Sequence, residues 1–468
     1  MDNWPLKAQT KYWMFRGRRK YKQKRYSEAL EYFEKVISVG SASSIALAHA
    51  GFCLAKLKRY DEAIDIYQKA LEGNVEHGVV HAQLAEIYSQ MERFQQAYDS
   101  LNRAFRSKPE LQQSAFWLQI YGNTCLKLER WAEARTSFEK AQEYSQSNEE
   151  VWLGLAISFK NLDRSNDALD AVNKSIEINP GSGKAWHWLG WIYAHQLNRD
   201  TDAISPLQRA IQLEPSNAAA QRELGDCYFK LQRFEEAIPC YQRYVALKIE
   251  DPAGHHSLAM AYCELRQFAL AVKPLLKALE IGPEFGEVYR ELGSVYSKLK
   301  DFEKAVEAVK SAIRLEPDCV DHYSCLSALY LSLEKRNEAL DAARQALRLN
   351  SGSADAYLLL GCALHERGTF QEAMDAYKES LKLNPAQFEA LANLGDAYHE
   401  LGQAQDAKTT LLLAQAIDDA EPKLHRLLGE VYLELGQKKE ALAEYEWLKR
   451  VDPPLAETLA ALLRAASS

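Results

Sequence analysis

The chain is rich in side chains that could do chemistry, but few of them stand at the spacing chemistry needs. His77 and His81 lie four residues apart and would face one metal ion from a single helix. His81, however, holds a position filled by Trp elsewhere in the chain, so it reads first as a packing residue. His255 and His256 are adjacent and would point about 100° apart on a helix, which gives no shared site. The phosphate-cradling GxxxxGK[ST], the zinc-hydrolase HExxH and the nucleophile-elbow GxSxG are all missing. The eight cysteines, at 53, 125, 227, 240, 263, 319, 325 and 362, include no CxxC pair. They read as reduced, packed thiols in a cytoplasmic protein, not as a disulfide framework or a zinc site. Catalytic, metal-ligating and cofactor-binding residues are therefore expected to be none, and the chain is read as not an enzyme.

The elements that would carry any site are clearer. In Gly286 to Cys319, GEVYRELGSVYSKLKDFEKAVEAVKSAIRLEPDC, apolar or small residues recur at Tyr289, Leu292, Gly293 and Tyr296 with helical spacing. A second set follows at Ala305, Val309 and Ala312, and Pro317 stops the second helix. A helix pair this small cannot bury both faces alone. The unit recurs through Ala29, Ala63, Ala97, Ala134, Ala168, Ala203, Ala237, Ala271, Ala305, Ala339, Ala373, Ala407 and Ala441, at steps of 34, 34, 37, 34, 35 and then seven times 34. Twelve residues earlier (thirteen in the sixth unit) stands a small residue, glycine in nine units. Glycine in a helix costs about 1 kcal/mol against alanine. Close backbone approach of the next helix is the expected reason. Glutamate just before the key alanine (Glu28, Glu62, Glu133, Glu236, Glu338, Glu372, Glu440) also recurs with the unit, so it reads as surface charge at the start of the second helix.

Trp or Tyr, Leu-Gly, Tyr, Ala, an aromatic or aliphatic residue, Ala and Pro at a period of 34 residues resembles the tetratricopeptide repeat. The resemblance implies an all-α fold, a right-handed superhelical alpha-alpha solenoid whose first helices line a concave groove. Thirteen repeats are expected over 10–455, after an N-terminal extension at 1–9. The segment 456–468 reads as a capping helix that covers the last repeat with Leu455, Leu459, Leu462 and Leu463.

The net charge of −8 argues against a general nucleic-acid binder. No apolar run approaches the ~18 residues of a membrane span, and the start of the chain lacks the apolar core of a secretory signal. Residues 1–25 hold nine Lys or Arg and one Asp, a local +8 that leaves −16 for the rest. This basic first helix (Lys11, Arg16, Arg18, Arg19, Lys20, Lys22) is either a solvated end of the array or a surface for an acidic protein or anionic lipid. Two irregularities interrupt the period. Three extra residues lie near 109–114, and one lies in 195–201, at the turn between the helices of the sixth repeat.

Groove positions implied by the resemblance give the candidate site. Repeats five to eight place Leu153, Ile157, Lys160, Lys184, His187, Trp191, Arg222, Asp226, Phe229, His256 and Met260 there, with Trp188 near the same face. Trp191 is the candidate anchor for a ligand side chain, with local packing against the insertion as the alternative. Trp152 and Trp186 are core by position. Repeats eleven to thirteen offer Asp355, His365, Glu366, Glu389, Asp396, His399, Glu400, Glu430 and Glu434 against Lys423 and Arg426, a net acidic stretch suited to a basic partner or to solvent. Two ligand modes of the family do not transfer. Asn123 matches one position of the clamp for a C-terminal carboxylate, but its neighbours do not complete it. Asn393 is the single asparagine at the thirteen positions of the ladder used by O-linked N-acetylglucosamine transferase. The expected function is a non-enzymatic scaffold that binds a protein or peptide in the groove. A membrane-peripheral assembly factor docking through its basic N-terminal helix is the alternative. Self-association of the basic start with the acidic end stays open.

Overall fold

The computed structural model describes residues 5–39, 44–72 and 77–465. The first four residues of the expected extension and the last three of the expected cap lie outside them. Among the described residues the regular structure is helical, with no strand. Repeat nine shows the plan: a first helix of 13 residues, Gly286–Lys298, and a second of 14, Phe302–Leu315.

Each turn between paired helices contains one residue in the left-handed region. Ten are not glycine, from Lys24 to Glu334, and the last three are Gly368, Gly402 and Gly436. In repeat nine Lys300 adopts φ 61°, which lets the Asp301 N–H donate back to the Tyr296 carbonyl at 2.9 Å. This closure satisfies carbonyls the helix would leave bare. A non-glycine residue there gives up roughly 1–2 kcal/mol. In several repeats the acidic residue before the key alanine is paired with a basic residue at the start of the second helix. Arg59 meets Glu62 at 2.6 Å, Arg164 meets Asp167 at 2.7 Å and Arg233 meets Glu236 at 2.7 Å. Exposed pairs like these contribute a few tenths of a kcal/mol, so they mark the register more than they hold it.

The small residue has a sharper role than close backbone approach. A Cβ added at Gly17 would meet the Phe33 ring at 2.8 Å, at Gly51 the Tyr67 ring at 2.7 Å, and at Gly293 Val309 Cγ2 at 2.6 Å. In each case the intruding group is a side chain of the second helix sixteen residues on, and it is fully buried. The glycines are sockets for those knobs, and backbone approach is secondary (the Ala305 carbonyl lies 3.4 Å from the Gly293 position).

The chain forms two compact parts, Met1–Cys240 and Tyr241–Ser468, and the division falls within helix Phe234–Leu247. Inside each part some first helices of successive repeats also touch one another, among them Ser44–Lys56 with Gly78–Gln90 and Ala354–Glu366 with Phe388–Glu400. The second part closes on helix Pro453–Ala465, which begins three residues before the expected cap. Asp452 Oδ1 accepts from the Leu455 N–H at 3.1 Å, and two prolines at its start need no donor partner. Leu459 is fully buried beside Leu448 and Ala456. Leu462 is exposed and does not join the core.

The first part contains both irregularities. Three extra residues become a 3-10 segment, Pro109–Gln113. The single extra residue was expected in the turn after His195. It is taken up earlier, where helix Gly183–Trp191 widens into a π turn at Ile192–Gln196. Leu197 N–H reaches back to the Ile192 carbonyl at 3.1 Å, and Arg199 N–H to that of Tyr193 at 2.8 Å. Widening keeps backbone donors satisfied while adding a residue.

Candidate functional site

The first helix of repeat five, Glu149–Asn161, and that of repeat six build an aromatic cluster around the π turn. Trp188 and Trp191 are three apart on one helix and meet edge to face, with centroids 5.7 Å apart. His195 lies against Trp191 at 4.8 Å, and His187 lies against Trp188 at 6.0 Å. Lys160, from repeat five, places Nζ 4.2 Å from the Trp191 ring centroid and 5.7 Å from that of Trp188. Burial lowers the pKa of this ammonium below the ordinary lysine value. A partly desolvated cation over two indoles is worth about 1–2 kcal/mol. Gln196, in the π turn, donates to the Lys160 carbonyl at 2.8 Å, so the irregular helix end ties repeat six to repeat five.

Of the residues expected to line the groove, His187, Trp188 and Trp191 come together in this cluster. Leu153 packs at its edge against the same core, and Ile157 is half-buried on the helix that carries Lys160. Lys184 and Arg222 are exposed, and Arg222 lies 3.8 Å from the half-buried Asp226. Phe229 is turned against Phe234 at 5.2 Å. Met260 belongs to the second compact part. Trp191 is half-buried, packed against the core yet leaving part of its ring accessible.

Glu223 escaped the sequence reading. It is buried and meets His187 Nε2 at 2.9 Å, joining the first helices of repeats six and seven. Its signal was available: a carboxylate one turn from a groove position, opposite a histidine 36 residues earlier.

The other singled-out residues resolve as structure. Trp152 and Trp186 donate their indole N–H at 3.0 Å to carbonyls six residues back, at Gln146 and Pro180. His255 and His425 make the same contact through Nε2, to Ile249 at 3.1 Å and Asp419 at 2.8 Å. This explains how histidine replaces tryptophan in that position. His81 is buried, and His77 opens its helix. Cys53, Cys125 and Cys227 are buried, and burial pushes each thiol up to about 12, far from a reactive thiolate. The acidic stretch of repeats eleven to thirteen is partly paired within itself: His365 lies 3.6 Å from Asp396, His399 lies 3.0 Å from Glu434, and Arg426 meets Glu430 at 2.5 Å.

Beside the 3-10 segment, a cavity of about 620 Å³ is lined by Phe105, Pro109, Tyr121 and Lys140 among others. Glu133 at its wall accepts from Tyr98 at 2.8 Å, Tyr121 at 3.0 Å and Arg130 at 3.1 Å. Burial works to raise this carboxyl, but the three donors outweigh it and hold the pKa below the ordinary glutamate value.

Stacked helix pairs with this register place the chain in a family. Tetratricopeptide repeat models match residues 16–75, 54–117, 153–216, 201–252, 286–319 and 388–421, and a TPR repeat model matches 361–402. Together they cover more than half of the chain, which belongs to the tetratricopeptide repeat family. Among solved structures, that of the APC/C hetero-tetramer Cut9–Hcn1 is similar at 15% identity over 98% of this chain and 96% of that one, with a TM-score of 0.45. PilF of Pseudomonas aeruginosa follows at 18% identity, 45% and 96% coverage and a TM-score of 0.41. YrrB, described as a TPR protein with an unusual peptide-binding site, gives 20% identity, 43% and 99% coverage and 0.38. No curated protein matches. The fold is that of an interaction scaffold, and no helix among the described residues is long and apolar enough to cross a membrane.

Proposed function

We propose that the protein holds a partner peptide, extended or helical, across the first helices of repeats five to seven, with Trp191 as the anchor. The observation that carries this reading is the half-buried Trp188–Trp191 pair under Lys160, at a groove register that is usually polar. Two indoles supply a large apolar contact with little rotamer entropy to lose. Lys160, with exposed Lys184 and Arg222 nearby in register, favours an apolar side chain next to an acidic one. His187–Glu223 fixes the spacing of two of the helices that present the site. Peptides selected from a random displayed library on the intact chain provide the test. Affinity should drop about tenfold or more in Trp191→Ala and less in Arg222→Ala. Selected peptides that bind both variants as well as the parent would remove this face as the site.

A second reading has its own support. On helix Leu6–Lys22, Leu6 and Phe15 are exposed, Phe15 by 64%, beside Lys7, Lys11 and Arg18. An apolar pair framed by cations suits an anionic membrane surface. Phe15→Glu should abolish co-sedimentation with vesicles containing phosphatidylserine at low salt. If the parent chain does not pellet with them, this reading fails.

A further inference from the structure

We propose a metal site in the link between repeats nine and ten, formed by Glu316, Cys319 and His322, for a borderline-soft divalent cation of the zinc type. One departure from the repeat marks the place. The third residue of the first helix is fully buried and apolar or small in many other repeats, as at Val80, Val151, Ala220, Val288, Ala356 and Ala390, while repeat four has half-buried Trp117 there. In repeat ten it is His322, 1% exposed. Its Nδ1 has no hydrogen-bond partner. Its Nε2 lies 3.8 Å from the Glu316 carboxylate, too far for a hydrogen bond. A buried imidazole with neither nitrogen bonded, where alanine or valine suffices elsewhere, needs an explanation other than packing.

The residue that opens the first helix is a capping Asn148, Ser182, Asn217, Asp251 or Ser353 in five repeats, each accepting a backbone N–H. In repeat ten it is Cys319, which makes no such bond, as is also true of His77, Ser114, Phe285, Gln387 and Glu421. Glu316, Cys319 and His322 each offer one ligand atom within 4.8 Å of the others. Glu316 is the residue just past helix Phe302–Leu315, and Cys319 is the residue just before helix Val320–Ser332. Thiolate, imidazole and carboxylate make a donor set for zinc, with water in the fourth position. Binding releases the Cys319 proton to solvent and gives the buried ring nitrogen a partner. The donors stand wider than an ion requires, and exposed Glu316 and half-buried Cys319 are the groups free to close in. This E-x2-C-x2-H set contains neither a CxxC pair nor an HExxH motif, so the spacing of cysteines and histidines in the sequence does not disclose it.

The test uses the full chain, reduced and stripped with chelator, then titrated with Co²⁺ and afterwards Zn²⁺. We expect a thiolate-to-cobalt absorption band that Zn²⁺ displaces. Cys319→Ser should abolish the band, and Glu316→Gln should weaken binding by roughly tenfold or more. His322→Val restores the side chain that repeats five and nine carry at Val151 and Val288. It should fold with undiminished helicity and bind no ion. No band in the parent chain overturns the proposal, as does a band that persists in both Cys319→Ser and His322→Val.

Discussion

Repeats six and nine follow one plan and differ by one residue of chain. In both, a glycine receives a knob from the second helix. A Cβ at Gly190 would meet Leu207 Cγ at 2.5 Å, and at Gly293 Val309 Cγ2 at 2.6 Å. In both, the key alanine is completely buried. Repeat nine then turns through Lys300 without slack, whereas repeat six inserts a π turn just after its glycine. The extra residue leaves the packing intact. What it changes is the exposed face, where Trp191, His195 and Gln196 gather over Lys160. Regularity maintains the core, and departures from it are where the surface acquires chemistry.

That comparison can be broken at its socket. Gly293→Val should cost about 2–3 kcal/mol by overpacking against Val309. Gly190→Val should cost about half as much, because the π turn at 192–196 can yield. Hydrogen exchange of each first helix reads the two losses separately, which suits an array that need not unfold in one step. Equal losses would mean that the π turn provides no slack.

Deleting Gln196 restores the 34-residue step and removes the bond to the Lys160 carbonyl. The expected cost is about 1–2 kcal/mol, with a changed near-UV circular dichroism as the Trp188–Trp191 pair loses its geometry. An unchanged spectrum would show that the cluster does not depend on the π turn.

The two compact parts should also differ in how they respond to pH. Glu133 has a depressed pKa, so its contribution is complete above the ordinary glutamate value and fades as pH falls through the folded value. His425 is the opposite case. Burial lowers its pKa, but hydrogen bonds to Glu444 at 2.6 Å and to the Asp419 carbonyl at 2.8 Å outweigh this and raise it. Its contribution is complete below the ordinary histidine value and fades as pH rises through the folded one. Protection against exchange, taken relative to the intrinsic rate at each pH, should therefore fall near Tyr121 in acid and near His425 in mild alkali. Glu133→Gln and His425→Gln should flatten the respective profiles.

The smallest effect belongs to the turn. Lys300→Gly relieves a left-handed lysine and should leave stability unchanged or raise it by up to about 1 kcal/mol. Thermal scans compared with Gly368→Ala, expected to lose a similar amount, check the sign.

Much of this was legible in the sequence because the repeat reports itself thirteen times. Gly293, Ala305 and Val309 could be assigned to the core from register alone, since each makes the same contact as its counterparts. Trp152 and Trp186, expected in the core, are half-buried against it, as Trp188 and Trp191 are. The position of the extra residue in repeat six was not legible, because a turn and a widened helix accommodate it at nearly the same point in the chain. Phe229 was expected to face a ligand and instead packs on Phe234, a contact that register does not encode.

The sequence by itself determined the helix pairs, the order in which they stack and the residues that make the sockets. These follow from local periodicity and from the size of one side chain against one glycine. Only the tertiary structure decided that Lys160 sits over Trp191, that Glu223 pairs with His187, and that His322 is buried without a partner. Each of these depends on neighbouring helices or turns meeting at a particular angle, and side-chain direction at that meeting is set by packing, not by position along the chain.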